Sequence, residues 1–286
     1  MSQMNKNSNK LGLKITSPYI LWSGLFIVIP LFLIVFFAFT KTTDNGYVFT
    51  IEHFEELMQP MYFRIFYRSI KLALFSTILC LLIGYPTAYI ISKTKASRQN
   101  TLLMLAIIPM WMNFLLRTYA WSAILGRNGI LNTIITTFGF SPINILYTDT
   151  AVMLGMVYNF LPFMILPIYT ILSKMDKDLI NAAKDLGAKP RQVFTKVVLP
   201  LSMPGVASGV TMVFMPAVST FVISKLLGGG QFMLIGNLIE QQFMSVGDWH
   251  FGSAISIFMM IVILISMAIL NKFSDESDKE GGGLLL

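Results

Sequence analysis

Residues 181–200, NAAKDLGAKPRQVFTKVVLP, are the most polar stretch in the interior of the chain and separate two long apolar segments. Around the start of this stretch, apolar side chains spaced at i, i+3, i+4 and i+7 predict a short amphipathic helix. They are Leu179, Ala182, Ala183 and Leu186. Gly187 predicts the end of this helix, because glycine readily adopts left-handed backbone geometry. Pro190 suits the first position of a second helix, which leads back into apolar sequence.

The composition is that of a membrane protein. Of the 286 residues, 55% are hydrophobic and 12% are charged, whereas soluble domains carry about 25% charged residues. Six apolar segments are each long enough to cross a hydrocarbon layer of about 30 Å as a helix. They cover approximately residues 19–39, 70–91, 102–125, 151–172, 201–227 and 251–270. The sequence therefore predicts an all-α polytopic membrane protein with six transmembrane helices, a membrane domain over residues 19–272, and tails over residues 1–18 and 273–286.

The basic residues indicate the orientation of these helices. Fourteen of the 21 lie in the two tails and in the second and fourth loops. Because positively charged loops face the cytoplasm, both termini and the loop at residues 173–200 are predicted to be cytoplasmic. We therefore expect a multi-pass protein of the cell (inner, cytoplasmic) membrane. The net charge of +7 is spread over alternate loops, so it does not indicate a nucleic-acid partner.

The segments between the spans carry weaker signals. Asn45-Gly46 predicts a turn, and Thr50 followed by acidic residues predicts a short capped helix. Residues 130–138 are expected to form an interfacial or re-entrant helix, and residues 274–286 show no periodicity and are assigned no structure. The outer segments also carry acids and aromatics suited to docking a partner or contacting a cationic substrate, although a solvated outer face is the more ordinary interpretation. They are Glu52, Glu55, Glu56, Glu240, Asp248, Tyr62 and Trp249.

Several kinds of chemistry have no basis in this sequence. It lacks the glycine-rich lysine loop that holds ATP phosphates, and it lacks the common hydrolase and metalloprotease motifs. Its two histidines, His53 and His250, lie far apart in the chain, and its single cysteine, Cys80, has no partner for a disulfide. We predict a non-catalytic chain without cofactor or metal, whose energy source is another subunit.

Polar residues within the predicted spans are candidates for a substrate path, because polar groups at membrane depth usually face a bundle interior or water. The candidates are Trp111, Asn113, Arg117, Tyr119, Tyr158, Asn159 and Pro216. Each has a structural alternative. Arg117 and the aromatics near it suit an interfacial belt with a snorkelling arginine. Asn159 suits a hydrogen bond between helices, and prolines are common in membrane helices.

The 181–200 stretch resembles the cytoplasmic loop of ABC importer permeases, in which an EAA sequence, three residues, a glycine, nine residues and I-x-L-P follow one another. The matching positions are Ala182, Ala183, Gly187, Val197, Leu199 and Pro200. Asn181 replaces the usual glutamate, which removes any salt bridge that the glutamate would make to a partner. Several further stretches resemble permeases of the spermidine/putrescine (PotB-like) type. They are LPFM at 161–164, DLGA at 185–188, PLSMPG at 200–205, LIGN at 234–237 and DW at 248–249.

This resemblance implies a type I ABC importer permease fold and a heteromeric importer. A cytoplasmic ABC ATPase would bind ATP and dock on the loop helix, a second, PotC-like permease would complete the path, and an extracytoplasmic binding protein would deliver the polyamine. The residues implied in ATPase coupling are Asn181, Ala182, Ala183, Asp185, Leu186, Gly187, Leu199 and Pro200. Because the six predicted spans contain no Asp or Glu, any substrate contact within them would use aromatic faces, hydroxyls and amide oxygens.

Three alternatives remain at this point. The 181–200 stretch could be an ordinary solvated loop, since most charged loops are only loops. The permease could carry another small solute, such as an amino acid, another cation or an oxyanion. The chain could also be an autonomous channel or a membrane-embedded enzyme, although the missing catalytic motifs argue against the enzyme.

Overall fold

A computed structural model describes residues 16–44 and 46–282, with side chains as far as Ile269. The predictions that concern residues 1–15, Asn45 and residues 283–286 lie outside this range. The chain divides into two compact units. One unit combines the residues up to Pro60 with Ile239–Met260, and the other combines Met61–Leu238 with the residues from Ile261 onward.

The first unit begins with an apolar helix and continues into a small hairpin. Its elements are helix α1 (Thr16–Ala38), strands β1 (Thr40–Thr43) and β2 (Gly46–Phe49), and helix α2 (Glu52–Leu57). The strands are antiparallel, with Thr42 opposite Tyr47. The predicted short helix after Thr50 is confirmed, and the Thr50 hydroxyl accepts a hydrogen bond of 3.2 Å from the Glu52 amide. The hairpin itself was not predicted beyond its turn.

The remaining helices follow in chain order. They are α3 (Pro60–Lys93), α4 (Ala96–Trp111), α5 (Phe114–Leu125), α6 (Ile130–Thr137), α7 (Asp149–Lys174), α8 (Lys177–Asp185), α9 (Pro190–Ser219), α10 (Val222–Leu227), α11 (Ile235–Gln241) and α12 (Trp249–Gly282). Within the described residues, five helices are long and apolar enough to cross a membrane. The bent pair formed by α4 and the segment Phe114–Thr137 makes a sixth candidate span. The predicted number of six spans is therefore confirmed when the bent pair is counted as one span. The described chain is helical as predicted, with the small hairpin as an addition.

The third predicted span, residues 102–125, is wrong as a single straight helix. The chain bends by 90° between Trp111 and Phe114. Met112 and Asn113 adopt extended ψ angles of 146° and 131°, and the Asn113 side chain accepts hydrogen bonds from the amides of Leu115 and Leu116. Asn113 therefore caps a new helix, which satisfies amides that a break would otherwise leave unpaired in lipid.

The fifth predicted span, residues 201–227, is also interrupted. Helix α9 ends at Ser219 and α10 begins at Val222. Asn237 bridges the break: its Nδ2 donates to the Phe221 carbonyl at 3.0 Å, and its Oδ1 accepts from the Ser224 hydroxyl. A side chain from elsewhere thus replaces backbone hydrogen bonds that the broken helix lacks.

The observed end of α12 and the observed start of α3 differ from the predicted boundaries. Helix α12 runs on to Gly282, whereas residues 274–286 were assigned no structure. The acids and lysines of this segment favour helix even though they have no apolar stripe. Helix α3 begins at Pro60, well before the predicted start at residue 70.

Helices α7 and α9 form the tightest packing in the second unit. A Cβ added at Gly205 would lie 3.0 Å from the Pro167 carbonyl oxygen and 3.1 Å from the Ile168 Cα, both on α7. Glycine at this position therefore allows the two backbones to approach each other closely, as small residues do in membrane helix pairs. Met164 and Ile168 of α7 are fully buried.

Candidate functional site

Helix α8 is a short surface helix with a cap at each end. The Asp176 carboxylate accepts the Asp178 amide at 2.9 Å and caps the start. At the other end the Ala188 amide donates to the Ala183 carbonyl and the Gly187 amide donates to the Lys184 carbonyl. Gly187 has a φ of +82°, so this is a Schellman ending, which favours glycine. The predicted helix and the predicted stop at Gly187 are confirmed.

The apolar side chains of α8 that the spacing grouped together lie mainly on the protein surface. Leu186 is 89% exposed and Leu179 is 50% exposed. Asn181, Ala182 and Asp185 are also exposed. The anchor of α8 is instead Ile180, which is 8% exposed and which the spacing argument did not single out. An amphipathic helix that turns a leucine outward presents a surface suited to a partner.

The segment after α8 connects this surface to the spans. Pro190 begins α9, as predicted, and the Gln192 side chain accepts the Lys189 amide at 2.8 Å. The helix widens into a π turn over Phe194–Val198, directly before Pro200. This location fits the clash that a proline ring makes with the carbonyl four residues earlier. Leu199 is half-buried and Pro200 is exposed.

Phe194 ties the start of α9 to α3. Its ring lies 5.9 Å from the ring of Tyr85 and 5.4 Å from that of Tyr89, edge to face in both pairs. About two turns further along α9, the Ser202 hydroxyl lies 2.8 Å from the Tyr85 hydroxyl in a buried hydrogen bond. The α8 surface is therefore joined to two membrane helices by aromatic packing and a buried polar contact. Phe194 and Tyr85 were not predicted, because their pairing joins residues far apart in the chain.

A groove of about 380 Å³ runs between α8 and the start of α9. It includes Ala183, Leu186 and Gly187 of the predicted coupling set, and it adds Gln192 and Lys196, which the sequence did not indicate. The groove is open and largely apolar, with the Lys196 amine on its wall. Its shape suits an apolar side chain of a docking protein.

The polar residues of the bent span have contrasting environments. Trp111 is 75% exposed and Tyr119 is 57% exposed, whereas Arg117 is only 7% exposed. The Arg117 side chain is therefore buried within the chain, whereas the snorkelling interpretation expected it to extend to the surface. In the part of the chain that the structure describes, its Nε and Nη1 atoms have no hydrogen-bond partner. Asn113 is used as the helix cap described above.

The candidate residues on α7 and α9 also differ in their environments. The ring of Tyr158 packs edge to face on Trp121 at 5.3 Å, which joins α7 to α5. Asn159 is 1% exposed and donates to the Gly155 carbonyl of its own helix at 2.8 Å. The expected hydrogen bond between helices is therefore not made by its amide, and its Oδ1 is buried without a partner. Pro216 lies half-buried inside α9.

Several helices can span a membrane, and the short amphipathic helix α8 lies between two of them. This arrangement suits the membrane subunit of a transporter. Comparison with known proteins gives the family. Residues 7–277 match the family described as the binding-protein-dependent transport system inner membrane component, and the chain belongs to that family.

Relatives of known description extend over most of the chain. The spermidine/putrescine transport system permease protein PotB of Salmonella typhimurium (strain SL1344) is 38% identical over 286 residues, which cover 96% of this chain and 100% of the relative. PotB of Haemophilus influenzae is 42% identical over 249 residues, covering 85% of this chain and 87% of the relative. A bacterial ABC transporter involved in importing the polysaccharide alginate contains a chain of the same fold, with a TM-score of 0.77, 18% identity and coverage of 96% and 98%.

Family membership establishes the role of the chain in general terms. It is the non-catalytic, multi-pass inner-membrane permease component of an ABC importer. A binding-protein-dependent system receives its solute from a binding protein and its energy from an ATPase, so the chain works with both. The predictions of an ABC importer permease, of its membrane location and of these two partners are confirmed.

Proposed function

We propose that the chain is the permease of a polyamine importer that carries spermidine and putrescine. The observation that supports this substrate is the 38% identity to a spermidine/putrescine permease along its whole length. A polyamine in these parts of the membrane domain would meet no carboxylate of this chain, because the sequence has no Asp or Glu between Glu56 and Asp149 or between Asp185 and Glu240. Aromatic faces and amide oxygens can bind an ammonium group without a carboxylate.

The loop at residues 173–200 is proposed to face the cytoplasm, to bind the ATPase and to move with the conformational change that accompanies ATP hydrolysis. Leu186 and the groove beside it would hold the ATPase. The complete proposed coupling set is Asn181, Ala182, Ala183, Asp185, Leu186, Gly187, Leu199 and Pro200. Motion of α8 would reach the spans through the packing of Phe194 on Tyr85 and through the start of α9 at Leu199 and Pro200. Such coupling needs a rigid element with two positions, and a helix capped at both ends is suited to that role.

The substrate path is proposed to use residues of the bent span, formed by α4 to α6, and of the later spans α7 and α9. The neutral members of this proposed set are Trp111, Asn113, Tyr119, Tyr158, Asn159 and Pro216. Arg117 is the charged member of the proposed set, and its positive charge would keep the ammonium groups of a polycation at a distance from it.

A second, PotC-like permease is proposed as the partner of the bent span. Apolar side chains of this span are exposed in the chain alone, among them Leu115 (49%) and Leu116 (64%). An exposed apolar face of this kind would pack on the second permease. Arg117 lies on the same span, but its Nε and Nη1 atoms are buried within this chain, so no contact with the partner is assigned to it.

Reconstitution tests these assignments together. The chain would be purified with its ATPase and partner permease, inserted into nanodiscs and supplied with the binding protein, and ATP hydrolysis would be measured with spermidine, putrescine, an amino acid and sulfate. We expect stimulation by the two polyamines and none when the partner permease is omitted. Stimulation by the amino acid or sulfate alone would refute the polyamine assignment, and uptake without any ATPase would favour a channel.

The side of the membrane that α8 faces can be measured separately. Ala183→Cys introduces a thiol on α8, while the native Cys80 is fully buried and gives a low background. A membrane-impermeant maleimide should label this variant in inside-out vesicles and not in intact cells. Labelling of intact cells would contradict the proposed orientation and with it the ATPase coupling.

A further inference from the structure

The first unit contains a pocket that the proposed function does not use. It encloses about 480 Å³ and lies between the β1–β2 hairpin and the start of α12. Three aromatic side chains line it, namely Phe37, Tyr47 and Trp249, together with Asp248 and His250. Tyr47 is 58% exposed and Trp249 is 54% exposed, so much of their surface is accessible to a small molecule.

The aromatic walls are held in place by their own contacts. The Phe37 ring lies 6.3 Å from the Trp249 ring and 6.4 Å from the Tyr47 ring, and both pairs are edge to face. Phe243 supports Trp249 from another direction at 5.5 Å. Aromatic rings grouped around one space are the kind of lining that binds organic ammonium groups, because the face of each π system is negative.

The carboxylate in this pocket is Asp248. Its Oδ1 accepts the Phe251 amide at 3.0 Å and caps α12. Among the described residues no hydrogen bond to the other oxygen, Oδ2, is found, and Asp248 is partly exposed. Oδ2 is therefore the acceptor that remains for a ligand.

The basic side chains beside the pocket each have a contact of their own. His250 Nδ1 donates to the Phe37 carbonyl at 3.0 Å, and Nε2 lies 3.0 Å from the Thr42 hydroxyl. Strand alternation puts Lys41 on the opposite face of β1 from Thr42. There its amine is paired with Glu52 at 2.8 Å.

We propose that this pocket is a binding site for a primary alkylammonium ion, in which Asp248 Oδ2 accepts from the ammonium group and the Phe37, Tyr47 and Trp249 rings surround it. The site would hold an amine where α1 ends and α12 begins, beside the carboxylate that directly precedes α12. That the amine is a polyamine rests on the proposed function, whereas the affinity of the pocket for an alkylammonium group does not.

The test uses equilibrium binding of radiolabelled putrescine, and of butylamine as a simple alkylammonium, to the assembled complex in nanodiscs without binding protein. Asp248→Asn is the informative variant, because asparagine caps helices as well as aspartate does but carries no charge. We expect binding about tenfold weaker, the loss typical of a charged hydrogen bond. Trp249→Leu should weaken it as well. Asp44→Asn is the matched control, since Asp44 is an exposed acid of the same unit that does not line the pocket.

Three results would overturn the proposal or separate it from the proposed function. Unchanged binding of both amines to the Asp248→Asn complex would overturn it. A second contrary result would be an Asp248→Asn complex that binds both amines normally but has a lower affinity for the extracytoplasmic binding protein. The pocket would then hold a lysine of that protein and not a free amine. If the wild-type complex imports no polyamine yet binds butylamine in a manner that depends on Asp248, the pocket is supported and the polyamine function is refuted.

Discussion

Replacement of Leu186 by alanine isolates the energy that α8 contributes to ATPase docking. Leu186 is 89% exposed in this chain, so its truncation removes three carbon groups that contact little of the chain itself. If the ATPase buries the exposed share at about 0.8 kcal/mol per carbon group, the docking free energy falls by about 2 kcal/mol. This change corresponds to a dissociation constant about thirtyfold higher.

The dissociation constant of the purified ATPase on nanodisc-embedded permease complex, measured by biolayer interferometry, provides the assay. Leu82→Ala is the matched control, because Leu82 is a leucine that is 64% exposed on the span α3. The control should bind the ATPase like the wild type, and both variants should retain the wild-type melting temperature. An unchanged dissociation constant for the Leu186→Ala complex would refute the docking role of this surface.

Two further predictions concern packing and charge. Gly205→Ala places a Cβ 3.0 Å from the Pro167 carbonyl oxygen, and this overpacking should cost about 1–3 kcal/mol. It should be seen as a lower melting temperature in detergent, whereas Gly24→Ala, whose Cβ meets nothing within 4 Å, should melt like the wild type. The hydrogen bond from Lys41 holds the pKa of Glu52 below its ordinary value. The stabilisation from this pair is therefore complete above the ordinary carboxyl pKa and is lost as the pH falls through the lowered value. Lys41→Met should raise the pKa of Glu52 in a ¹³C NMR titration, and an unchanged titration would contradict the pairing.

Local sequence signals predicted the elements whose stability is local. The end of α8 depends on Gly187 and its near neighbours, so it could be predicted from a few adjacent residues. The hydrophobic runs predicted the spans for the same reason, since crossing a membrane is a property of a single helix. The bend at Asn113 was missed, although an asparagine that caps a following helix carries a recognisable signal.

The contacts that assemble the sites join distant parts of the chain. Phe194 meets Tyr85 across more than a hundred residues, and Asn237 closes a break in a helix that precedes it. Neither contact follows from spacing, because the helix faces that meet are selected by the packing of whole helices. The pocket that Asp248 lines likewise requires Trp249 to lie beside Phe37, and no local sequence pattern could indicate this pairing.

The sequence by itself determined that this chain crosses a membrane, that it carries no ATP-binding loop of its own, and that a short helix ending at Gly187 interrupts its spans. These properties depend on hydropathy, on motif content and on one turn of backbone. Only the tertiary structure decided that Leu186 faces outward while Ile180 anchors α8. It also decided that Arg117 is buried, and that Asp248 shares a pocket with three aromatic rings. The physical reason is that burial and pairing depend on which helices pack together, and the chain settles that only when it folds.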